Sequence, residues 1–460
     1  MKRTLCLLLA ALLLIALPAM ADAVPLDAAF NAGALNLVPV TWEGLARIER
    51  AEIPPMFWAF AEAPEGGIDT AAEMLLSIKN DIQPVSISPD GESAIGVYSD
   101  TVITISDGVM RPLAPSALSL AGDTYGNFAK LITMPPNRLV GTEGLVWSPD
   151  GRYAMPLNWN MVMQNGQLMY DPMILDTQTG EIRLVATYAG RPIDDNSGAP
   201  ISAVFSEDST ALYFTLYGHA FGEGAGAIAR VDLANGDVAP AYVYPLGILP
   251  DVYPHLARVG KDRFALLTDN RDWHLAQGIA LFVPSGDGEY IRTVTHHALP
   301  MVNVFFNRLL GGTADGGAVA YGDSYIEKLS FDHGVEGVDE LYGIDRETGL
   351  LKAIDQSTAA NYNPRMTTSS ASAPGSAPAD PGVTAIGHAT LSPDGRYLLV
   401  TSYTSGANYV TLVRLEDMAS VPVNGMALPE LPMLEWMLSW SEAGILMTTT
   451  NGAGVLYNVQ

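Results

Sequence analysis

The 460-residue chain has a single cysteine, Cys6, and it lies inside an apolar leader. Beyond the leader there is no thiol, which excludes disulfides, a thiolate nucleophile and cysteine-ligated metals. Basic residues are scarce: 24 Lys and Arg stand against 50 Asp and Glu, a net charge of −26. Nucleic acid needs a basic face, and an anionic membrane surface needs one too, so neither is expected as a partner. After the leader no run of about 20 apolar residues occurs, so no segment is expected to insert in a membrane. The Gly-x-Ser-x-Gly elbow, the His-Glu-x-x-His helix and the Walker loop are all missing. Charged residues make up only 16% and hydrophobic ones 48%, a balance that excludes global disorder.

The leader has the three parts of a secretory signal. Lys2 and Arg3 give a positive start, Leu5 to Leu17 an uncharged apolar run, and Ala19-Met20-Ala21 the small residues of a cleavage site. Residues 1–21 are read as a signal peptide cleaved after Ala21 or Ala23. The expected product is secreted or periplasmic. Large proteins of the eukaryotic secretory route usually carry disulfides, so their absence points to a bacterial export system.

Internal repetition is the strongest feature. Ile87-Ser88-Pro89-Asp90-Gly91 returns as Trp147-Ser148-Pro149-Asp150-Gly151 and as Leu391-Ser392-Pro393-Asp394-Gly395. Weaker copies place acids at Asp208, Asp262, Asp315 and Glu442, so the successive intervals are 60, 58, 54, 53, 79 and 48 residues. Proline fixes φ, aspartate accepts backbone N–H groups and glycine takes the positive-φ position, so each copy is a hairpin turn. An apolar strand precedes it and a second strand follows, such as Ala211–Tyr217 or Tyr397–Tyr403. A third strand then enters a second turn, Asp176-Thr177-Gln178-Thr179-Gly180-Glu181 or Asp345-Arg346-Glu347-Thr348-Gly349, and a fourth, such as Ile182–Tyr188, closes the unit. Four antiparallel strands per unit describe a β-propeller blade. The fold class expected is therefore all-β, a propeller of seven four-stranded blades closed by an N-terminal strand.

Ser-Pro-Asp-Gly-Arg-Tyr after an apolar strand, followed by Asp-x-x-Thr-Gly-Glu, resembles the WD40-like propeller repeat of the TolB type. It is similar also to the propeller domains of prolyl oligopeptidases and dipeptidyl peptidase IV-type enzymes. The resemblance covers roughly residues 75–460, with no peptidase domain appended. It implies the fold and leaves the activity open, since propellers host many unrelated functions.

The last unit supplies only three strands, Glu435–Ser441, Ile445–Thr450 and Gly454–Val459, and Glu73–Lys79 is expected to complete it. Residues 73–460 then form the propeller, and 22–72 an extension packing on it. Residues 356–382, rich in Ser, Ala and Pro, read as a low-complexity loop that accounts for the 79-residue interval.

In a four-stranded blade the turns after strands one and three share a face, and here those turns are short. Longer excursions follow strand two, at Asn158–Gln167, Gly218–Gly226, Asp269–Gly278 and Gly322–Glu340. Variable loops on a rigid scaffold usually carry function. The candidate ligand-binding residues are therefore Trp159, His219, Phe221, Asp269, Trp273, His274, Asp323 and Tyr325. Aromatics beside carboxylates and imidazoles suit a protein, peptide or glycan ligand. Asp194 and Asp195, and the run Asp323, Glu327, Asp332, Glu336, Asp339 and Glu340, offer oxygens suited to Ca²⁺, without the spacing of a calcium loop. In so acidic a chain they read first as solvated carboxylates, so no cofactor is expected. The Ser-Pro-Asp-Gly acids read as structural, because they recur at the turn.

The leading functional reading is a monomeric, non-catalytic binding scaffold that takes its ligand on the long-loop face. Two others stay open. One is a propeller enzyme, a glycan lyase, hydrolase or lactonase, with a site at the central opening. The other is a structural subunit of a cell-envelope complex.

Overall fold

A computed structural model describes residues 26–40, 83–98, 101–106, 109–112, 145–156, 161–164, 167–170, 173–184, 187–188, 191–192, 202–217, 225–236, 238–245, 252–260, 263–269, 278–283, 290–295, 306–322, 325–329, 341–345, 347–354, 385–404, 407–428, 436–449 and 454–459. A short helix, α1 (Leu26–Ala32), precedes the first strand, β1 (Leu35–Val40). All other described elements are strands, and β1 apart they pair antiparallel in seven successive units.

Unit 1 holds β2 (Gln83–Ile87), β3 (Ser93–Tyr98), β4 (Thr101–Ser106) and β5 (Val109–Pro112). Unit 2 is built from β6 (Leu145–Trp147), β7 (Tyr153–Pro156), β10 (Met173–Asp176) and β11 (Glu181–Leu184). A hairpin, β8 (Met161–Gln164) and β9 (Gln167–Tyr170), stands between its second and third strands. Unit 3 comprises β14 (Ala203–Phe205), β15 (Ala211–Tyr217), β16 (Ala225–Asp232) and β17 (Val238–Pro245). Unit 4 comprises β18 (Val252–Gly260), β19 (Arg263–Asp269), β20 (Gly278–Val283) and β21 (Tyr290–Thr295). Unit 5 has five strands: β22 (Phe306–Gly311), β23 (Ala318–Gly322), β24 (Tyr325–Leu329), β25 (Leu341–Ile344) and β26 (Leu351–Ala353). Unit 6 contains β27 (Ala385–Leu391), β28 (Tyr397–Thr404), β29 (Ala407–Arg414) and β30 (Ala419–Asn424). Unit 7 contains β31 (Trp436–Ser441), β32 (Gly444–Thr449) and β33 (Gly454–Val459), with β1 as its outer strand.

The first strands of the units meet in a ring. Trp147 Nε1 of β6 donates to Ser86 Oγ of β2 at 2.8 Å. Strands β6, β14, β18 and β22 touch in succession, and β27 touches β31, which touches β2. Between units 5 and 6 the Ala314 N–H, just beyond β22, donates to the carbonyl of Gly395 at 2.9 Å. The architecture is therefore a closed β-propeller.

The sheet of unit 6 is covered on both sides, which explains the unbroken apolar run at the start of β28. Leu398 and Val400 face unit 5, in a cluster with Tyr321, Ile326, Tyr342 and Ile344. Tyr397 and Leu399 point the other way, toward Trp436, Leu438 and Ile445 of unit 7. Alternate residues thus fill two interfaces, and each fully buried Leu or Val contributes about 1.5–3 kcal/mol.

The strand that completes unit 7 is β1, not Glu73–Lys79, which lies outside the described residues. Leu37 to Val40 pair antiparallel with Val459 to Leu456, while Leu35 and Asn36 pair in parallel with Val423 and Asn424 of β30. One strand therefore fastens units 6 and 7 together. Gly425 makes room for it: its φ is +87°, and a Cβ there would sit 2.0 Å from the Leu37 carbonyl oxygen. Helix α1 docks beside β1, with Phe30 stacked on Tyr397 at 6.0 Å and under the Arg414 guanidinium at 4.7 Å.

Three further expectations are corrected. Of the stretch read as a fourth strand, Ile182–Tyr188, only the start belongs to β11 (Glu181–Leu184); Thr187–Tyr188 form β12, which pairs with β13 (Arg191–Pro192). The Gly322–Glu340 excursion contains strand β24, so the Asp345 turn follows a fourth strand and not a third. Glu327, counted among the exposed acids, sits in β24 at 2% exposure. The low-complexity segment and the leader lie outside the described residues.

Candidate functional site

The Ser-Pro-Asp-Gly turn is a closed hydrogen-bonding unit. Ser148 Oγ donates to Asp150 Oδ1 at 2.6 Å, and the Arg152 N–H donates to the same oxygen at 3.2 Å. Ser148 Oγ also accepts the Tyr153 N–H at 2.8 Å, which starts the next strand. The same pattern holds at Asp90, Asp208, Asp315 and Asp394, with Thr313 replacing serine before Asp315. At Asp208 the Ser206 hydroxyl, together with Thr210, holds the carboxyl down to about 2.

The second turn sits beside the first. Backbone N–H groups of Thr177, Leu233 and Leu415 donate to the carbonyls of Arg152, Thr210 and Arg396 in units 2, 3 and 6. In unit 2 the Arg152 guanidinium grips Asp176 Oδ2 through Nε at 3.1 Å and Nη2 at 2.8 Å. Both short turns thus share one end of the ring in units 2, 3 and 6, as the repeat grammar implies. In unit 5 the Asp345 turn, which follows a fourth strand, stands at the opposite end, and the connection from β24 to β25 leaves from the end of the Asp315 turn.

Neighbouring turns also lock onto one another around the axis. The Glu442 N–H of unit 7 donates to the Pro89 carbonyl of unit 1 at 2.7 Å. The Asp90 carboxylate lies against Gly151 of unit 2, where a Cβ would come within 2.6 Å of Oδ1. The Asp150 N–H donates to Ser209 Oγ of unit 3 at 3.1 Å, and Glu207 of unit 3 pairs with Arg258 of unit 4 at 3.5 Å.

Inside this collar is a cavity of about 550 Å³, walled by residues from all seven units. Pro89, Pro149 and Pro393 stand at the turns, while Trp147, Leu310 and Leu391 give an apolar wall. Its charged lining groups are Asp90 and Glu442, from adjoining units 1 and 7, and Arg258 from unit 4. The cavity lies beside the turns. Sequence reading missed it because no unit contributes more than a few residues. The only signal was the clustering of prolines and acids at equivalent turn positions.

Of the candidate ligand-binding residues, Asp269 closes β19 and Tyr325 opens β24. Both stand at the end of the ring away from the turns. Trp159, His219, Phe221, Trp273, His274 and Asp323 lie outside the described residues, as do Asp194 and Asp195. His388 was not among the candidate ligand-binding residues. It is buried in β27, where its backbone exchanges hydrogen bonds with Thr401 Oγ1. Among the described residues, no group of three His, Cys, Asp or Glu is arranged to hold a metal ion. Nor, among them, is any helix long and apolar enough to cross a membrane.

No protein-family model matches the chain, and no curated protein does. Solved structures do. The β-propeller domain of Cps50 (Swd1) from Myceliophteria thermophila is 11% identical, with a TM-score of 0.43, covering 83% of this chain and 97% of that one. An oligogalacturonate lyase in complex with manganese is 14% identical, with a TM-score of 0.42, covering 83% and 91%. TolB from Acinetobacter baumannii is 13% identical, with a TM-score of 0.34, covering 82% and 79%. The propeller architecture itself rests on the strand order and the contacts between units.

Proposed function

We propose that the protein is an exported, monomeric propeller that acts as a non-catalytic binding scaffold, taking a protein, peptide or glycan on its long-loop face. The leader at residues 1–21 directs the chain to the periplasm or beyond. What supports the reading is a difference between the two ends of the ring. At the turn end, Asp90, Asp150, Asp208, Asp315 and Asp394 are each occupied by their own Ser or Thr hydroxyl and backbone N–H. Those acids hold the turns through Oδ1. At the other end the second strands of units 2, 3 and 4 stop, and the connections after them can vary without disturbing the ring.

The test is a glycan and peptide array probed with the mature protein, residues 22–460, followed by titration of the hit. Trp159→Ala and Trp273→Ala should weaken binding at least about tenfold, because aromatic anchors commonly contribute about 2 kcal/mol each. Their melting temperature should not change. An array without a hit, or an affinity insensitive to both tryptophans, overturns the reading.

A further inference from the structure

We propose that the axial cavity at the turn end is a second binding site, selective for a short unblocked peptide with apolar side chains. The argument is one of charge placement. Asp90 and Glu442 come together because the Glu442 N–H is bonded to the Pro89 carbonyl, which closes the ring between units 7 and 1. In a ring of seven, the unit facing that seam is unit 4, and unit 4 supplies Arg258. The cavity wall thus takes two acidic residues from one side of the ring and an arginine from the side facing it. Between them the wall is apolar, with Val146, Trp147, Leu310 and Leu391.

Each charge is open to a ligand. Both hydrogen bonds that Asp90 accepts, from Ser88 Oγ and the Glu92 N–H, go to Oδ1, which leaves Oδ2 for a donor. Glu442 is exposed. Arg258 makes one loose ion pair, at 3.5 Å, with Glu207, which is itself 59% exposed and readily exchanged for another carboxylate. An ammonium is drawn toward Asp90 and Glu442, a carboxylate toward Arg258, and side chains between the two meet the apolar wall. A molecule with both charged ends satisfies the site; one with a single charge leaves the opposite wall unanswered. The volume, about 550 Å³, is in the range of small-ligand pockets. Because the collar is locked by its turns, the site is preformed and binding need not order a loop.

The experiment is calorimetric titration of the full mature protein with a pool of unblocked apolar tripeptides. The same pool N-acetylated, the same pool C-amidated, and putrescine serve as comparators. The unblocked pool should bind, and either block should weaken it about tenfold, the effect of losing about 1.4 kcal/mol. Glu442→Gln should lower affinity for unblocked peptides and leave the acetylated ones unchanged. Arg258→Gln should do so for free carboxylates and not for amides. No heat with the unblocked pool, equal binding of blocked and unblocked pools, or putrescine binding as tightly as peptide would each overturn the proposal. Glu442 is exposed, so its variant is informative even if Arg258→Gln fails to fold. Trp159→Ala and Trp273→Ala should leave this binding intact, so failure of the loop-face reading is separable.

Discussion

The Tyr397 phenol donates a hydrogen bond to Asp27 Oδ1, joining helix α1 to a strand 370 residues later. Arg396 supports the same carboxylate at 3.3 Å. The Tyr397 bond, with Arg396 and Arg414 nearby, holds the Asp27 carboxyl below its usual range. Burial, together with the Asp27 partnership, pushes the phenol up to about 12. A depressed carboxyl favours the docked state at every pH above its ordinary value of 3.8 and loses that contribution as pH falls through the lowered one. Docking of α1 should therefore persist to pH 4 and be released below it. Tyr397→Phe should move release to higher pH. Hydrogen exchange at Gly33 and Ala34, whose N–H groups bond to Phe30 and Ala29, reports it. Release at the same pH in both proteins would deny Tyr397 this role.

The closing strand is the next point of leverage. Leu35 and Leu37 are 1% and 3% exposed, between units 6 and 7. Leu37→Ala should cost about 2–5 kcal/mol. Gly425→Ala should cost more than the about 1–2 kcal/mol of a left-handed backbone alone, since its Cβ would strike the Leu37 carbonyl. Deleting residues 22–40 exposes the edges of β30 and β33 and should give an aggregating product. Deleting residues 41–80 should not remove that closure. Light scattering and urea denaturation distinguish these outcomes, and a monodisperse, cooperatively folding chain lacking residues 22–40 would refute closure by β1.

Legibility in the sequence followed the range of the interactions. The Ser-Pro-Asp-Gly turns could be read because Ser148, Asp150, Arg152 and Tyr153 bond within five residues of one another. Strand β1 could not. Its partners are more than 380 residues away, and Pro39 argues against a strand. The structure tolerates that proline because β30 engages only Leu35 and Asn36, so the outer edge beside Pro39 needs no N–H from it. Strand β24 was hidden by its charged residues, since Glu327 and Lys328 suggest solvent although Ile326 and Glu327 are buried. The cavity was invisible for a related reason. Its wall takes Asp90, Arg258 and Glu442 from three different units, and only ring closure brings them together.

Stability should not depend on redox state or on metal. After Cys6 the chain has no cysteine, and apolar interfaces join units 2 and 3, 5 and 6, and 6 and 7. The melting temperature in reductant, and in EDTA, should equal that in plain buffer. A large fall in EDTA, cured by Ca²⁺ and abolished by Asp194→Ala with Asp195→Ala, would instead make that acidic pair a structural calcium site.

Turn acids should govern stability and spare the loop-face ligand. Asp150→Ala removes the acceptor for Ser148 Oγ and the Arg152 N–H, at a cost of about 1 kcal/mol. Denaturation midpoints should fall while affinity for any array hit stays unchanged. An affinity loss without a stability loss would place that ligand at the turn end.

The Arg152–Asp176 pair allows the sharpest test of the turn end. Asp176 is 2% exposed and accepts N–H groups from Gln178 and Thr179 on Oδ1, while Arg152 holds Oδ2 through two nitrogens. The Asp176 bond raises the Arg152 guanidinium above its usual range, so the arginine keeps its charge. Arg152→Ala leaves a buried carboxylate with backbone partners alone. Breaking a fully buried pair costs about 3–5 kcal/mol, and solvent at the 38%-exposed arginine reduces that here to about 2 kcal/mol. Arg152→Lys keeps the charge and loses the two-point grip, so it should recover only part of the loss. In the Asp176→Asn background Arg152→Ala should cost much less, because the stranded charge is gone. Urea midpoints for the four proteins of this cycle give the coupling directly. Equal costs for Arg152→Ala in both backgrounds would show that the guanidinium acts by packing over Tyr153, 4.9 Å away, and not by neutralising Asp176.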